Sequence, residues 1–404
     1  MESGTAPDGA ELVRRAEAMR AQLIEEQVAT EARRFYSERT HEAFLAAGFY
    51  HLLAPRRYGG LELDATTFYK VMIAISRGCP SSGWMLSLGA AHALHVASYF
   101  SERAQDEMLG ENDCFIAAAS FAHQDALASP VDGGYRVSGT WHFCSGVPYA
   151  SHHLGVIPSQ PGECPVEDLL MVAIPRGEFR RLDNWGDLIG LKGSGSHSVV
   201  VEDVFVPTHR VIHLLDMENP TGHTPGYALH ANHLYAGRFF GFAIGELVAV
   251  QIGAAQAAVD EFERSIIGKP KMSLNNSGTP KTEDADFQRC FGLAMAWSDS
   301  AESILLKVGE QYMEHARRTI ACDEAFTDEK VWRLYGQQMT AAKLCWDAGE
   351  TLFRVGSTSG ARDGERLQRY WRDLCAFRSN GLHQHDFRAR ALAQARFGLP
   401  VSFY

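Results

Sequence analysis

The stretch GTWHFCSGVPYASHHLGVIP, residues 139–158, decides how the chain is read. Trp141, His142, Phe143, Cys144 and Ser145 come in a row, and Gly146 then turns the chain. Aromatic side chains closed by a glycine read as a half-buried strand entering a turn. Side chains alternate along a strand, so Trp141, Phe143 and Ser145 are expected on one face. That face is either the inner side of a small sheet or a flat wall, ending in a hydroxyl, that suits a planar ring.

The segments around it share the texture. CFIAAASFA (114–122), YRVSGTWHFCSG (135–146), HHLGVIP (152–158), DLLMVAIP (168–175) and HSVVVEDVFVP (197–207) are short runs punctuated by Gly, Pro and Asp. They predict a compact β-domain whose last strand ends near Pro207. His123 is expected in the loop after the first of them.

On both flanks the pattern becomes helical. ELVRRAEAMRAQLIEEQVATEARRF (11–35) places apolar residues at helical spacing. Two apolar helices follow, separated by CPSSG (79–83). The second, about 82–100, has too few charges for a surface helix, yet holds His92 and His95. After the β-domain, four long helical runs joined by short loops predict an antiparallel bundle. GKPKMSLNNSGTPKTEDA (268–285) is the clearest flexible insertion. The fold class expected is α+β, mainly α. An N-terminal helical domain (1–112) precedes a central β-domain (113–215) and a C-terminal four-helix bundle (216–404).

Composition excludes several classes. With 46% hydrophobic and 22% charged residues, the 404-residue chain reads as globular. A net charge of −11 without a basic patch speaks against nucleic acid. Eight scattered cysteines contain no CxxC pair, so no metal site is expected and the thiols read as reduced and cytoplasmic. The N-terminus lacks a signal-type apolar core, and no apolar run is expected to reach transmembrane length, so no membrane association is expected. No dinucleotide fingerprint appears, so no NAD(P)H site is expected.

Helices, then a β-domain, then a helical bundle resembles the acyl-CoA dehydrogenase fold. DNWGDLIGLKGSGSHSVVVEDVFVPTHRV (183–211) looks like the stretch that closes the β-domain beside the flavin. VDGGYRVSGTWHFCSG (131–146) looks like the strand and turn over one face of its ring. GERLQRYWRDLCAF (364–377) resembles the C-terminal helix near the flavin of a neighbouring subunit. Within that superfamily the chain resembles the oxygenase components of two-component flavin monooxygenases, of the 4-hydroxyphenylacetate 3-hydroxylase, seco-steroid phenol hydroxylase and dibenzothiophene monooxygenase type. The resemblance implies reduced FMN or FAD delivered by a separate reductase, O₂, a flavin C4a-hydroperoxide, a small aromatic substrate and a homotetramer. An acyl-CoA dehydrogenase-like or N-hydroxylating activity on the same fold is the alternative. The dehydrogenase would need a carboxylate base, for which the terminal helix offers only SNGLHQHD (379–386).

The same resemblance assigns residues. Ser145 corresponds to a serine that donates near flavin N5, with Trp141, Phe143 and Gly146 beside the ring. Ser120 corresponds to a serine that reaches the phenol; a satisfied core serine is the structural reading. His92 lies on a helix like the one that supplies a substrate-facing imidazole, with His95, expected on another side of the helix, as fallback. Gly193 and Ser194 in KGSGS (192–196) could meet the flavin through backbone N–H groups or simply form a tight turn. Lys269 and Lys271 lie near where relatives place basic residues for the flavin phosphate, with Lys271 the candidate; a solvated loop is the other reading. A protonated His383 is expected near C4a, with Asn380 and His385 as competing registers.

Overall fold

The computed structural model describes residues 7–111, 114–160, 165–219, 221–270 and 278–401. Helices α1 (Gly9–Ala18), α2 (Arg20–Arg33), α3 (Glu38–Ala47), α4 (Ala65–Gly78), α5 (Pro80–Tyr99) and the short α6 (Glu102–Gln105) come first. Their starts follow from the sequence. The side chains of Asp8, Ser37, Asp64 and Ser101 each accept a first-turn backbone N–H, satisfying a donor that a helix start leaves open. α5 begins on Pro80, where the missing N–H has no partner to lose. Every residue of α5 except Leu88 is buried.

Strands β1 (Ala117–Ser120), β2 (His123–Val131), β3 (Gly134–Trp141), β4 (His152–Pro158), β5 (Leu169–Pro175), β6 (Arg180–Arg181), β7 (Val199–Pro207) and β8 (Val211–His213) form two four-stranded sheets. Their orders are β1-β4-β5-β8 and β2-β3-β7-β6. β1 runs parallel to β4 and the other neighbours are antiparallel. A core of Ala118, Val137, Trp141, Ile157, Val172 and Val199 is buried in the β-domain.

β2 was not expected. Its sequence HQDALASPV lacks clear alternation and holds Pro130. It is an edge strand, bulged between Gln124 and Leu127, and pairing with β3 supplies what its side chains do not. His123 therefore opens a strand, exposed, and does not lie in a loop.

α7 (Pro225–His230), α8 (Phe239–Ile266), α9 (Ala285–Ile320), α10 (Asp328–Val355), α11 (Ser357–Gly360), α12 (Arg366–Arg378) and α13 (His385–Arg396) complete the chain. The fourth expected helix is two, α12 and α13. Between them the Asn380 side chain accepts the Leu382 N–H and a 3₁₀ turn spans Gly381–His383, a local bond that competes with helix continuation. α8 also corrects the expectation about apolar runs. It is long and apolar enough to cross a bilayer, yet 94% of its most apolar window is buried inside the protein; here its neighbours are helices α4, α5, α9 and α10. α5 packs against α4, α8 and β1, so helices, sheet and bundle meet on it.

Trp141 fixes the sandwich. Its ring is fully buried and its indole N–H donates to the Val156 carbonyl at 2.8 Å. A Cβ at Gly155 would stand 2.8 Å from Trp141 Cε2, closer than packed carbons tolerate. Gly155→Ala should lower stability by about 1–3 kcal/mol through overpacking, read as a drop in urea midpoint with secondary structure unchanged.

Candidate active site

The FCSG turn and the KGSGS loop meet. Ser145 Oγ lies 2.7 Å from Ser196 Oγ, which lies 2.7 Å from Ser194 Oγ. The Trp84 indole N–H, from α5, donates to Ser145 Oγ at 2.8 Å. Gly146 adopts the left-handed conformation, φ 82°, and its N–H points at the Ser194 carbonyl, 3.4 Å away. Ser145, Gly146, Gly193 and Ser194 are thus brought together around a buried ladder of hydroxyls.

Two expectations change here. The strand ends at Trp141, so the alternation through Ser145 does not hold. Phe143 takes φ 60° and is 61% exposed, while Trp141 is sealed inside the sandwich. A positive φ reverses the direction of the chain's side chains, so Trp141, Phe143 and Ser145 do not share a face. Trp141 cannot border a ring ligand. Phe143 stands instead edge-on to Trp185, ring centres 6.1 Å apart. Three N–H groups of KGSGS are also engaged: Gly193 with Ser81 Oγ, Ser194 with the Leu191 carbonyl and Gly195 with the Arg34 carbonyl. The loop is a tight turn pinned to α2 and α5.

Trp84 links this turn to the C-terminal region. Its ring centre is 5.1 Å from that of Phe377, on α12, and Phe377 is 6.4 Å from His383. His383 is buried, with Nδ1 3.0 Å from Gln251 Nε2 and 3.2 Å from the Phe377 carbonyl. Its Nε2 has no partner among the described residues. Burial pushes its pKa down to about 4, so the expected protonated imidazole is neutral at pH 7. His385 is solvent-accessible beside Asp386, and Asn380 caps the turn.

His92 Nδ1 lies 2.6 Å from the Ala117 carbonyl of β1. A carbonyl only accepts, so Nδ1 carries the hydrogen and Nε2 keeps a lone pair. Burial lowers its pKa to about 4 and that of His95 well below the ordinary value. His95 is not on another side of the helix. Three residues apart on α5, the rings face one another with centres 5.6 Å apart. Ser120 donates to the His142 carbonyl at 2.5 Å and accepts from the Ala122 N–H, so it organises the corner between β1 and β2. Lys271 lies outside the described residues.

Sequence reasoning missed Trp84, Ser196, Gln251, Phe377 and Glu246. The last had a signal: it is the one charged residue between positions 239 and 259. Glu246 is buried within reach of His92 and His95.

A helical N-terminal part, a β-sandwich and a helical bundle, with a buried hydroxyl ladder and orphaned imidazole nitrogens, define a flavoprotein of the acyl-CoA dehydrogenase class. The family model for the acyl-CoA dehydrogenase N-terminal domain matches residues 10–111 and that for the C-terminal domain matches 246–385. The chain is 30% identical over 390 residues to the flavin-dependent monooxygenase oxygenase subunit HsaA of Rhodococcus jostii, covering 96% of this chain and 99% of that one. It is 29% identical to the FADH2-dependent resorcinol hydroxylase oxygenase component of a Rhizobium species, covering 88% and 87%. The solved structure of 3-HSA hydroxylase from Rhodococcus sp. RHA1 superposes with TM-score 0.86 at 28% identity, over 97% of this chain and 98% of that one. XiaF from Streptomyces, in complex with FADH2 and glycerol, shares the fold with TM-score 0.88 at 24% identity, over 98% and 97%.

The chain belongs to the oxygenase components of the two-component flavin-dependent monooxygenases. It uses reduced flavin and O₂ to hydroxylate an aromatic substrate, with the flavin reduced by a separate protein. The residues present suit that cofactor: the Ser145–Ser196–Ser194 ladder offers hydroxyl donors, and His383 Nε2 is a buried polar atom with no partner among the described residues.

The buried imidazoles make stability depend on pH. His92 and His383 are held at about 4 and His153 at about 3, against 6.5 unfolded. The unfolded chain therefore binds protons that the folded one does not as pH falls below about 6.5. Stability should fall between pH 6.5 and 4, by up to about 1.4 kcal/mol per pH unit for each fully buried His. Urea unfolding at pH 7.5, 6 and 5 checks this; a flat profile contradicts it.

Proposed function

We propose that the substrate is a small hydroxylated aromatic ring and that His92 accepts its phenolic proton. The carrying observation is the His92 Nδ1 contact with the Ala117 carbonyl, which leaves Nε2 as an acceptor. Uncharged at neutral pH, this nitrogen keeps a lone pair for the phenol O–H; burial makes it a weak base, so it draws the proton most strongly as the ring is attacked and the phenol acidifies, which raises electron density at the ortho carbon. The neighbouring relatives named as resorcinol and 3-HSA hydroxylases support the phenol reading.

Bound reduced flavin would supply the electrons that activate O₂. Ser145 is oriented for this cofactor because Trp84 donates to its oxygen, leaving the Ser145 proton free to turn from Ser196 to a ring nitrogen. His383 Nε2 and the pair of exposed Phe143 and half-buried Trp185 are the other candidates for contact with it. Gly146, Gly193 and Ser194 shape the turn, and Ser120 sets the corner beyond β1. Lys271 is retained as a candidate for the flavin phosphate on the resemblance alone. Either FMN or FAD is accommodated in this reading, and the three domains divide at residues 112 and 215.

The same reading makes the enzyme a cytoplasmic homotetramer. In support, six cysteines among the described residues, including the buried Cys79, Cys144, Cys290 and Cys345, are free thiols. The β-domain leaves Phe143, Ile189 and Phe205 exposed, apolar surface of the kind a neighbouring subunit covers. Light scattering measures the assembly.

Mixing the protein with anaerobically reduced FMN or FAD and then O₂, with and without phenols, tests the chemistry. A hydroxylated product supports it; flavin reduction by an acyl-CoA supports the dehydrogenase instead. His92→Phe should lower kcat for a phenol about 10²-fold or more, with electrons diverted to hydrogen peroxide. Unchanged kcat and coupling would remove His92 from the chemistry. Ser145→Ala should raise peroxide release per turnover while flavin affinity changes little, since one hydrogen bond contributes about 1–3 kcal/mol in a dry site; coupling equal to wild type would sink that role.

A further inference from the structure

Where α5 crosses α8, three buried polar side chains meet. One ligand-capable atom from each of His92, His95 and Glu246 lies within 4.8 Å of the others. Glu246 Oε2 and His95 Nε2 have no hydrogen-bond partner among the described residues. A buried polar atom left unpaired costs about 1–3 kcal/mol, so two aimed together mark a place for a polar group of a ligand. Along the stretches that present them, α5 and the first turns of α8, there is no cation. α5 carries no Lys, Arg, Asp or Glu, and Glu246 is the one charged residue in the first 21 positions of α8. Arg238, just before α8, is already bound to Glu218, Asp328 and the Phe326 carbonyl. Burial also pushes the Glu246 carboxyl well above the ordinary carboxylate range, which favours its protonated, hydrogen-donating form.

We propose that Glu246, with His95, is a second hydrogen-bonding arm of the substrate site and restricts the enzyme to uncharged aromatic hydroxyl substrates. This rests on the reading that His92 faces the substrate. A substrate hydroxyl has one donor and two acceptor positions for the three side chains: it donates to His92 Nε2 and accepts from the Glu246 O–H and from a His95 Nε2–H. The apolar body of the substrate has a place to go, because Phe239, whose ring is 4.7 Å from His95, also lines a surface groove with Phe121, Leu214, Leu215 and Phe240. With its hydroxyl at the cluster, 4-hydroxyphenylacetate would carry its carboxylate into this groove, whose one charged lining residue, Glu218, is itself acidic and already paired with Arg238, so the anion would meet no free counter-charge in low-dielectric surroundings.

The test compares 4-ethylphenol with 4-hydroxyphenylacetate, which differ by an anionic group. Binding to the enzyme loaded with oxidised flavin is read by calorimetry, and product by a reductase-coupled assay. Wild type should bind 4-ethylphenol at least about tenfold more tightly than the anion. Glu246→Leu should raise KM for 4-ethylphenol about tenfold with kcat held, whereas Glu246→Gln, which keeps a donor, should stay within about threefold. Should the leucine variant not fold, the wild-type comparison and the glutamine variant still decide. Equal or tighter binding of the anion, no binding of either phenol, or capture of cobalt(II) by the three side chains with a d–d absorption band would overturn the proposal. Selective binding without hydroxylated product would leave it standing and overturn the phenol-oxygenation reading instead.

Discussion

The hydrogen bond from His92 Nδ1 to the Ala117 carbonyl ties the buried helix α5 to the first strand of the β-domain. Much of the site depends on that junction. It sets the tautomer of His92, and so which nitrogen is left to act. It places His95 next to the start of α8, and Trp84, two turns earlier, under the FCSG turn and against Phe377. A helix with nineteen buried residues cannot shift without disturbing all three layers at once, because close-packed interiors pass strain to their neighbours.

The side chains gathered at the site are buried, which favours their uncharged forms. Burial is the leading cause that lowers His92, His95 and His383 and raises Glu246. The charges that do occur nearby are paired, as with Arg238 and Glu218. Such surroundings strengthen each remaining hydrogen bond and penalise each one left unmade. An oxygenase has use for this, since water admitted beside reduced flavin and O₂ favours loss as peroxide. Neutral imidazoles and a protonated carboxyl give polar contacts without bringing ions, and with them water, into the interior.

The C-terminal region illustrates how local chemistry adjusts a long pattern. Asn380 and the turn at Gly381–His383 interrupt what the apolar spacing presents as one helix. The interruption turns His383 inward against Gln251 of α8. Asp373 of α12 accepts the Leu191 N–H at 2.6 Å, which fixes the loop beside KGSGS to the bundle. Two hydrogen bonds thus join the terminal helices to the parts of the chain that shape the site.

The sequence by itself determined the layers. Periods of 3.6 and 2, helix caps such as Asp64 and Ser101, and the near-absence of charge in α5 and α8 carry that information locally. The motifs FCSG and KGSGS, and His92 and His383, were also legible as residues of interest. Tertiary structure alone decided which atoms of these residues are available. A left-handed φ at Phe143 separated it from Trp141 and Ser145, a distant carbonyl chose the His92 tautomer, and burial removed the proton expected on His383. Glu246 shows the limit most clearly. One acid in an apolar helix is visible in the sequence, but its meaning comes from His92 and His95, about 150 residues earlier, and spacing along the chain says nothing of a meeting made by packing.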